Sequence, residues 1–312
     1  MLRELNEIDI YESFDKCPVC NNPEIKLTYI TKDRHYKIED DFKLFKCTNC
    51  DLVFLNPLPT QEFLSSLYPK DYYAYQSFFK KQSWAEKFVK KYLVRAITKD
   101  PTFQQPGKML DIGCGSGHFI YKMRENGWDV KGVEINDDAA KLGREAGKLN
   151  IHSGELVTAL YANEEFDYIR SNHSFEHVVQ AKELLQEIHR VLKKDGKLLI
   201  GVPNIDGLNA KLFKKYWWYL GAPVHTFNYT PKSLSMLLEA EGFKVEKVNY
   251  NSDYSGILGS TQIFLNRNTN KTSMEGWVFN NPFLRIFFHQ IAKVLDLFKQ
   301  GDVIEIVCTK AS

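Results

Sequence analysis

The order of apolar and polar stretches changes at about residue 108, where a regular alternation of strand-like and helix-like segments begins. Short apolar runs bounded by turn residues predict five parallel strands, and helical spacing of apolar positions predicts the helices between them. The strands are predicted at 108–112, 129–133, 151–152, 166–169 and 197–202, and the helices at 117–126, 137–146 and 181–192. A turn is predicted at 193–196. This alternation is typical of a doubly wound parallel α/β sheet.

The last part of the chain adds two more predicted strands, at 243–249 and 302–309, which brings the sheet to seven strands. Thr230 is the expected N-cap of a helix that has Pro231 at its first position and ends at residue 240. Residues 251–276 are polar and poorly patterned. Residues 282–298 predict a helix with apolar side chains on three faces, which favours packing against the core or a second subunit over contact with a membrane surface.

Four of the six cysteines form two Cys-x-x-Cys pairs near the start of the chain, Cys17 with Cys20 and Cys47 with Cys50. Each pair can supply two thiolates from one tight turn, and four thiolates complete a tetrahedral zinc site with no open position. Strand-like runs at 25–31 and 42–45 lie between the pairs. The segment therefore predicts a zinc ribbon with a structural metal, and a coincidental or redox-active pairing is the alternative.

These patterns divide the chain into a zinc ribbon at 1–60, a helical lid or linker at 61–106 and an α/β domain at 107–312. The linker contains an aromatic-rich stretch at 69–79, which suits either a lid over a ligand or packing between domains. A helix is predicted at 83–98, with Ser83 as its N-cap. The α/β domain carries two insertions, at 205–230 and 251–300, on the side where an acceptor substrate is expected.

The first predicted α/β strand ends in Asp111 and continues into a loop with glycines at 113, 115 and 117. Glycines let the backbone turn sharply and leave no side chain between it and a ligand. A phosphate-binding P-loop needs Gly-Lys-Ser/Thr, and a dinucleotide fingerprint needs a third glycine at position 118, where this chain has His118. Glu134 ends the second strand, where an acidic side chain can accept hydrogen bonds from ribose hydroxyls.

The chain resembles class I S-adenosylmethionine-dependent methyltransferases in the order of four motifs: the loop Asp111–Gly117, Glu134, the Phe175–Val178 segment and Val202–Asn204. The resemblance covers residues 108–250. The group that the chain resembles includes the ubiquinone-pathway O-methyltransferases. The cysteine-rich front end is similar to a narrower branch that tailors sugars and surface glycans. The resemblance implies a Rossmann-like seven-stranded sheet and S-adenosylmethionine as cofactor. It further implies a small acceptor, such as a sugar, a nucleotide sugar or a bacterial surface-glycan precursor.

The resemblance also suggests roles for individual residues. Asp111, Gly113, Gly115, Gly117 and Glu134 would hold the cofactor. Glu155 would border the adenine, and Asn172 or His173 would lie behind the cofactor.

For O-methylation a base must remove the acceptor proton, and histidine suits this near neutral pH. His225 is the first candidate and His177 the second. Methylation on carbon is the alternative, but the long C-terminal domain of sugar C-methyltransferases is absent.

Composition narrows the expected partners. The chain has 41 basic and 39 acidic residues, for a net charge of +2, so no nucleic-acid partner is expected. No apolar run approaches the roughly 20 residues of a membrane span, and the first residues lack a signal-like apolar core, so a cytoplasmic location is expected. A homodimer is possible. Two rival functions stay open: a nucleic-acid methyltransferase and a non-catalytic zinc-ribbon binding protein.

Overall fold

The computed structural model describes residues 10–35, 41–67, 105–269 and 271–311, and its first part is a small module of short strands. The elements of this N-terminal module (residues 10–66) are β1 (Ile10–Glu12), β2 (Ile25–Thr31), β3 (Phe42–Cys47), β4 (Val53–Leu55), β5 (Leu58–Pro59) and α1 (Gln61–Ser66). Strands β2, β3 and β4 are antiparallel neighbours. The predicted strands at 25–31 and 42–45 are confirmed. Most of the predicted linker, including the helix at 83–98, lies outside the described residues.

A seven-stranded sheet forms the body of the molecule. Its elements and those around it are β6 (Lys108–Ile112), α2 (His118–Glu125), β7 (Asp129–Glu134), α3 (Asp137–Gly147), β8 (Asn150–Ser153), β9 (Phe166–Asn172), α4 (Ala181–Val191), β10 (Leu192–Pro203), α5 (Leu208–Phe213), β11 (Phe227–Asn228), α6 (Pro231–Ala240), β12 (Phe243–Tyr250), α7 (Ser255–Asn266), α8 (Trp277–Asn280), α9 (Pro282–Leu297) and β13 (Val303–Lys310).

The strand order in this sheet is β12-β13-β10-β9-β6-β7-β8. Strands β8, β7, β6, β9 and β10 are parallel, and β13 runs antiparallel to both β10 and β12. The predicted seven-stranded α/β fold is confirmed. The chain reverses its direction of winding at β6 and β9, so the carboxyl ends of these strands form the crevice where open α/β sheets bind ligands.

Both faces of the sheet are covered by apolar side chains, which explains why its strands are almost continuously hydrophobic. Successive residues enter different clusters: Leu110 and Ile169 pack on one face, and their neighbours Met109 and Tyr168 pack on the other. All four side chains are fully buried. This burial fixes the register of the parallel strands, because a shift by one residue would exchange the two faces.

One local prediction is wrong, and one segment for which no element was predicted contains a helix. Residues 193–196 are not a separate turn, because β10 already begins at Leu192, and the irregularity is absorbed by a register shift between Leu192 and Lys197. The poorly patterned segment 251–276 contains the 12-residue helix α7. Gly256 and Gly259 lie in this helix and pack against Asp302 and Trp218. Glycine has a low helix propensity, but its missing side chain lets the helix backbone approach these two residues closely.

Helix α9 confirms the predicted helix at 282–298, but only one side of it meets the protein. His289 and Ala292 are buried, whereas a stripe on the opposite side is exposed. The exposed stripe consists of Phe283, Phe287, Val294 and Leu297. Core packing therefore accounts for one side of this helix and not for its exposed apolar stripe. Within the described ranges, none of the helices has the length and apolar character needed to cross a membrane.

Candidate active site

A cavity of about 900 Å³ opens at the carboxyl edge of the parallel strands. One part of its lining comes from the loop after β6, the end of β7 and the segment after β8, and includes Gly113, Gly115, Glu134, Asn136 and Glu155. Another part comes from the segment after β9, helix α4 and the N-terminal module, and includes His173, His177, Gln180, Gln61 and Tyr11. We call these the cofactor side and the acceptor side of the cavity.

The glycine loop keeps the backbone close to both the sheet and the cavity. Gly113 has φ 71°, and a Cβ atom built on it would lie 2.3 Å from the Cβ of Ser174. Its N–H donates to the Val133 carbonyl at 2.8 Å. Only glycine satisfies this backbone angle and this contact together. The loop then leads into α2, whose N-cap is Gly117.

Glu134 is the acidic group on the cofactor side, and the loop backbone fixes its carboxylate. Oε2 accepts the Gly115 N–H at 2.7 Å, and Oε1 accepts the Asn136 N–H at 2.9 Å. Burial raises the pKa of Glu134, while these two N–H groups act in the opposite direction. Each oxygen keeps a second lone pair for a ligand hydroxyl. A carboxylate held in this way suits the ribose diol of an adenosine-containing cofactor.

Three of the residues predicted to hold the cofactor lie outside the cavity lining: Asp111, Gly117 and Asn172. Asp111 is 2% exposed and accepts a hydrogen bond from Arg170 Nη1 at 3.0 Å. Arg170 in turn lies over the Phe119 ring, with its Cζ 3.9 Å from the ring centroid. Asn172 approaches Gly201, where a Cβ would meet its Oδ1 at 2.1 Å. Asp111 and Asn172 are thus placed beneath the cavity rather than at its surface.

Two apolar lining residues were not predicted, and the sequence carries little signal for them. Ile135 and Val157 join Leu156, which is next to the predicted Glu155, in providing apolar surface beside Glu134 and Glu155, and Ile135 and Val157 remain about half exposed. Their position directly after β7 and β8 is the one available signal, because residues after parallel strands line the crevice. An apolar slot next to a ribose-binding carboxylate suits a purine ring.

On the acceptor side, Glu176, His177 and His225 form a compact cluster. Their possible ligand atoms all lie within 4.8 Å of one another. The rings of His177 and His225 meet edge to face, with centroids 4.6 Å apart. His177 lines the cavity, whereas His225 lies behind it and is not part of the lining. The single helical turn Phe175–His177 carries the first two residues, and the segment before β11 carries the third.

Hydrogen bonds to main-chain carbonyls orient both imidazoles. His177 Nδ1 lies 2.9 Å from the Val224 carbonyl oxygen, and His225 Nδ1 lies 2.8 Å from that of Tyr219. A carbonyl oxygen only accepts, so both Nδ1 atoms carry a proton. In the neutral rings Nε2 is then the atom that can accept a proton or bind a cation.

Glu176 is 1% exposed, and neither carboxylate oxygen has a hydrogen-bond partner among the residues that the structure describes. His173 Nδ1 and His177 Nε2 lie 3.6 Å and 3.9 Å from its Oε1. Burial alone would raise the pKa of Glu176, but the surrounding histidines bring it down to about 2. The same carboxylate raises the pKa of His173, against the effect of burial. Burial, together with His177, lowers the pKa of His225 to about 3. An ionised carboxylate and two oriented imidazoles are a donor set that could hold a divalent cation.

The four predicted metal cysteines converge in the N-terminal module. Cys17 Sγ and Cys50 Sγ are 3.5 Å apart, as are the Sγ atoms of Cys20 and Cys47, and all four lie within 4.8 Å of one another. Tetrahedral coordination with Zn–S bonds of about 2.3 Å requires separations of about 3.8 Å. The residue after each pair has a positive φ, 56° at Asn21 and 63° at Asp51. The donor set therefore fits zinc.

A protein-family model described as a methyltransferase domain matches residues 82–248, just over half of the chain. An uncharacterized protein of Methanocaldococcus jannaschii is 32% identical over 111 residues, which cover 35% of this chain and 51% of that protein. A ubiquinone biosynthesis O-methyltransferase of Idiomarina loihiensis is 29% identical over 133 residues, covering 40% of this chain and 51% of its own. The chain thus spans about half the length of these curated relatives.

Two further matches cover a larger share of the matched protein. A demethylmenaquinone methyltransferase of Lactobacillus johnsonii is 28% identical over 189 residues, which cover 52% of this chain and 74% of that protein. Among solved structures, a SAM-dependent methyltransferase from Archaeoglobus fulgidus has 24% sequence identity and a TM-score of 0.48, covering 72% of this chain and 94% of its own.

Proposed function

The chain belongs to the methyltransferase-domain family, and from that premise we propose that it is an S-adenosylmethionine-dependent O-methyltransferase of a small polar acceptor. One observation carries the proposal: a single cavity joins the glycine loop and Glu134 to two histidines at the carboxyl edge of the sheet. The cofactor side suits a ribose and a purine, and the acceptor side offers a proton acceptor. Both are needed for methylation of a hydroxyl.

The cofactor supplies a methyl group that is already activated on its sulfonium. Gly113 and Gly115 allow close approach to the loop, and Glu134 accepts hydrogen bonds from the ribose hydroxyls. Asp111, Gly117 and Asn172 support this side from below, Glu155 borders the adenine and His173 stands at the junction with the acceptor side. Alignment of the two reactants can contribute roughly 7–11 kcal/mol to lowering the barrier.

We assign the proton acceptor to His177 Nε2, because His177 lines the cavity whereas His225 does not. During transfer the proton of the acceptor hydroxyl would pass to His177 Nε2, while the bound cofactor would supply the methyl group and be left as S-adenosylhomocysteine. His225 contacts the His177 ring, and Glu176 lies beside both rings and stabilises the imidazolium that forms. His225 therefore supports the base.

The acceptor side favours a sugar hydroxyl. Gln61, Glu62, Gln180 and Glu183 bring amide and carboxylate groups to the lining, and Gln180 Nε2 donates to the Tyr11 hydroxyl at 3.2 Å. Several directional hydrogen-bonding groups suit a polyol. The second candidate is the hydroxyl of a quinol ring. It is favoured by the name of the Idiomarina relative, a ubiquinone biosynthesis O-methyltransferase, and by the apolar side chains of Val178, Val179 and Leu184 in the same lining.

We propose that Cys17, Cys20, Cys47 and Cys50 bind one structural zinc ion. The thiol separations support this, and four cysteine ligands leave no position for a reacting group. Metal analysis of the purified protein should find one zinc per chain, and its absence would refute the assignment.

The function is tested by incubating the full chain with S-adenosylmethionine labelled in its methyl group and separate panels of sugars, nucleotide sugars and quinols. We expect label on a sugar hydroxyl, located by tandem mass spectrometry. Label only on a quinol would select the second candidate. No transfer to any panel, together with no calorimetric binding of S-adenosylhomocysteine, would refute the enzyme assignment and favour a non-catalytic binding protein.

A further inference from the structure

The N-terminal module and the α/β domain share one β-sheet. Strand β11, which follows His225 by two residues, pairs antiparallel with β4 of the module, with Phe227 opposite Phe54 and Asn228 opposite Val53. The Leu55 N–H also donates to the Thr226 carbonyl at 3.0 Å. The resulting sheet has the order β11-β4-β3-β2. The strand that follows His225 is therefore an edge strand of the sheet of the N-terminal module.

The second cysteine pair contacts the chain immediately after β11. Thr230 Oγ1 donates to the Cys50 carbonyl at 3.2 Å, and Lys232 Nζ donates to the Asn49 carbonyl. Both carbonyls belong to the turn that carries Cys47 and Cys50. Its conformation is held by N–H groups of Asn49 and Cys50 directed at Cys47 Sγ, at 3.4 Å and 3.5 Å. The geometry of this turn and the position of residues 226–232 are thus linked directly.

The other side of the same segment holds the histidine cluster. Thr226 is fully buried, and its N–H and Oγ1 both donate to the Glu176 carbonyl, at 2.9 Å and 3.0 Å. The Val224 carbonyl accepts the hydrogen bond that orients His177. Residues 224–226 therefore lie between the module on one side and the Glu176–His177 turn on the other.

The cofactor side is held differently. The N–H groups of Gly113 and Cys114 donate to the Val133 carbonyl, and that of Gly115 donates to Glu134. These partners all belong to β7 of the main sheet, which adjoins β6.

From this contrast we propose that the N-terminal module is a positioning element for the acceptor side. The Cys47–Cys50 turn and β4 hold residues 224–230. Through these residues they hold His177 and His225 in the arrangement that accepts a proton. The inference rests on the proposed function for its consequence in catalysis, but the structural coupling stands independently of the reaction. It predicts that loss of metal from the four cysteines disables the acceptor side and leaves the cofactor side intact.

Hydrogen exchange measured by mass spectrometry tests the coupling in the full chain, before and after zinc is removed with a chelator. We expect amides of residues 224–230 to exchange at least tenfold faster in the zinc-free protein, while those of 109–117 and 130–135 stay protected. Calorimetry should show S-adenosylhomocysteine affinity changed by less than twofold. Unchanged protection at 224–230 would overturn the proposal, and so would equal loss of protection in all three regions.

Thr230→Val tests the same coupling without chelation. It removes the hydrogen bond to Cys50 and also the N-cap of α6, where Thr230 Oγ1 accepts the Ser233 N–H at 3.0 Å. Ser233→Ala removes the bonds that Ser233 Oγ makes with the Thr230 N–H and hydroxyl but keeps the Thr230 hydroxyl that donates to Cys50, so it is the matched control. Thr230→Ser keeps both bonds and should restore wild-type behaviour.

We expect Thr230→Val to accelerate exchange at 224–230 and to lower kcat at least tenfold, with the KM for S-adenosylmethionine unchanged. Ser233→Ala should change neither property by more than twofold. Equal effects of the two variants would show that Thr230 acts only as the N-cap of α6, and this result would overturn its positioning role. If exchange changes as expected in a protein with no methyl transfer, the coupling stands and the proposed function fails.

Discussion

The two sides of the cavity are built in contrasting ways. The cofactor side comes from neighbouring elements, and the hydrogen bond from Gly115 to Glu134 spans 19 positions in the sequence. The acceptor side combines residues from distant parts of the chain: the hydrogen bond from His177 to Val224 spans 47 positions, and that from Thr230 to Cys50 spans 180. The cofactor side can thus form with the main sheet, whereas the acceptor side needs the N-terminal module as well. The following predictions test this division.

Replacement of His177 should have the largest effect and should be confined to the acceptor side. We expect His177→Ala to lower kcat by about 10²–10⁴-fold, because it removes the general base. S-adenosylhomocysteine affinity should stay within twofold of wild type. Steady-state kinetics and calorimetry measure the two quantities.

His189→Ala is the matched control for this experiment. His189 packs against Phe243 and lies outside the cavity lining, so turnover should be preserved. A His177→Ala enzyme with full activity would move the base to another residue.

Replacement of Glu134 should have the next largest effect, on the cofactor side. We expect Glu134→Ala to weaken S-adenosylhomocysteine binding by at least about 100-fold, since charge-assisted hydrogen bonds to two hydroxyls contribute about 1.5–3 kcal/mol each and 1.4 kcal/mol corresponds to a factor of ten. Hydrogen exchange at 224–230 should not change. Calorimetry and exchange mass spectrometry provide the two measurements.

Asp111→Asn tests whether a residue outside the cavity lining contributes to cofactor binding. Asp111 is outside the lining and is paired with Arg170, so we expect less than a tenfold change in affinity. A loss as large as that of Glu134→Ala would mean that Asp111 contacts the cofactor directly.

Acidification should reveal a smaller effect on the acceptor side. The pKa of His225 is lowered from 6.5 to about 3 in the folded protein, so between these values the unfolded chain binds a proton that the folded chain does not. The free energy of unfolding should therefore fall as the pH falls. For this group the loss is about 1.5 kcal/mol between pH 6.5 and pH 5.

Urea unfolding of wild type and His225→Gln at both pH values measures this difference. The variant should lose less stability on acidification, by about the same 1.5 kcal/mol. Equal pH dependence of the two proteins would show that folding does not lower the pKa of His225.

What the sequence predicted follows the same division. The glycine loop, Glu134 and the two cysteine pairs are local patterns. The structure brings the loop and the carboxylate together at the cavity, and it brings the four thiols together in the N-terminal module. The central strands follow from apolar runs such as Met109–Ile112 and Leu198–Val202, which are buried on both faces of the sheet. Such features depend on spacing over a few residues, which the sequence displays directly.

The acceptor side could not be predicted in this way. Strand β11 has only two residues, Phe227 and Asn228, which is too short for a recognisable period, and its partner lies more than 170 positions away. The pairing of Asp111 with Arg170 is equally invisible, because it depends on the register of β6 against β9. The sequence could therefore name His177 and His225 as candidates but could not indicate which of them faces the cavity.

The shared sheet formed by β4 and β11 also restricts how this protein can evolve. An accessory module joined only by a linker can be exchanged between relatives by recombination at the linker. Here a graft of the front end alone would place a foreign edge beside Phe227 and Asn228 and a foreign turn beside Thr230 and Lys232. The N-terminal module and residues 224–232 should therefore be inherited together, and changes on one side of their contact should be followed by compensating changes on the other.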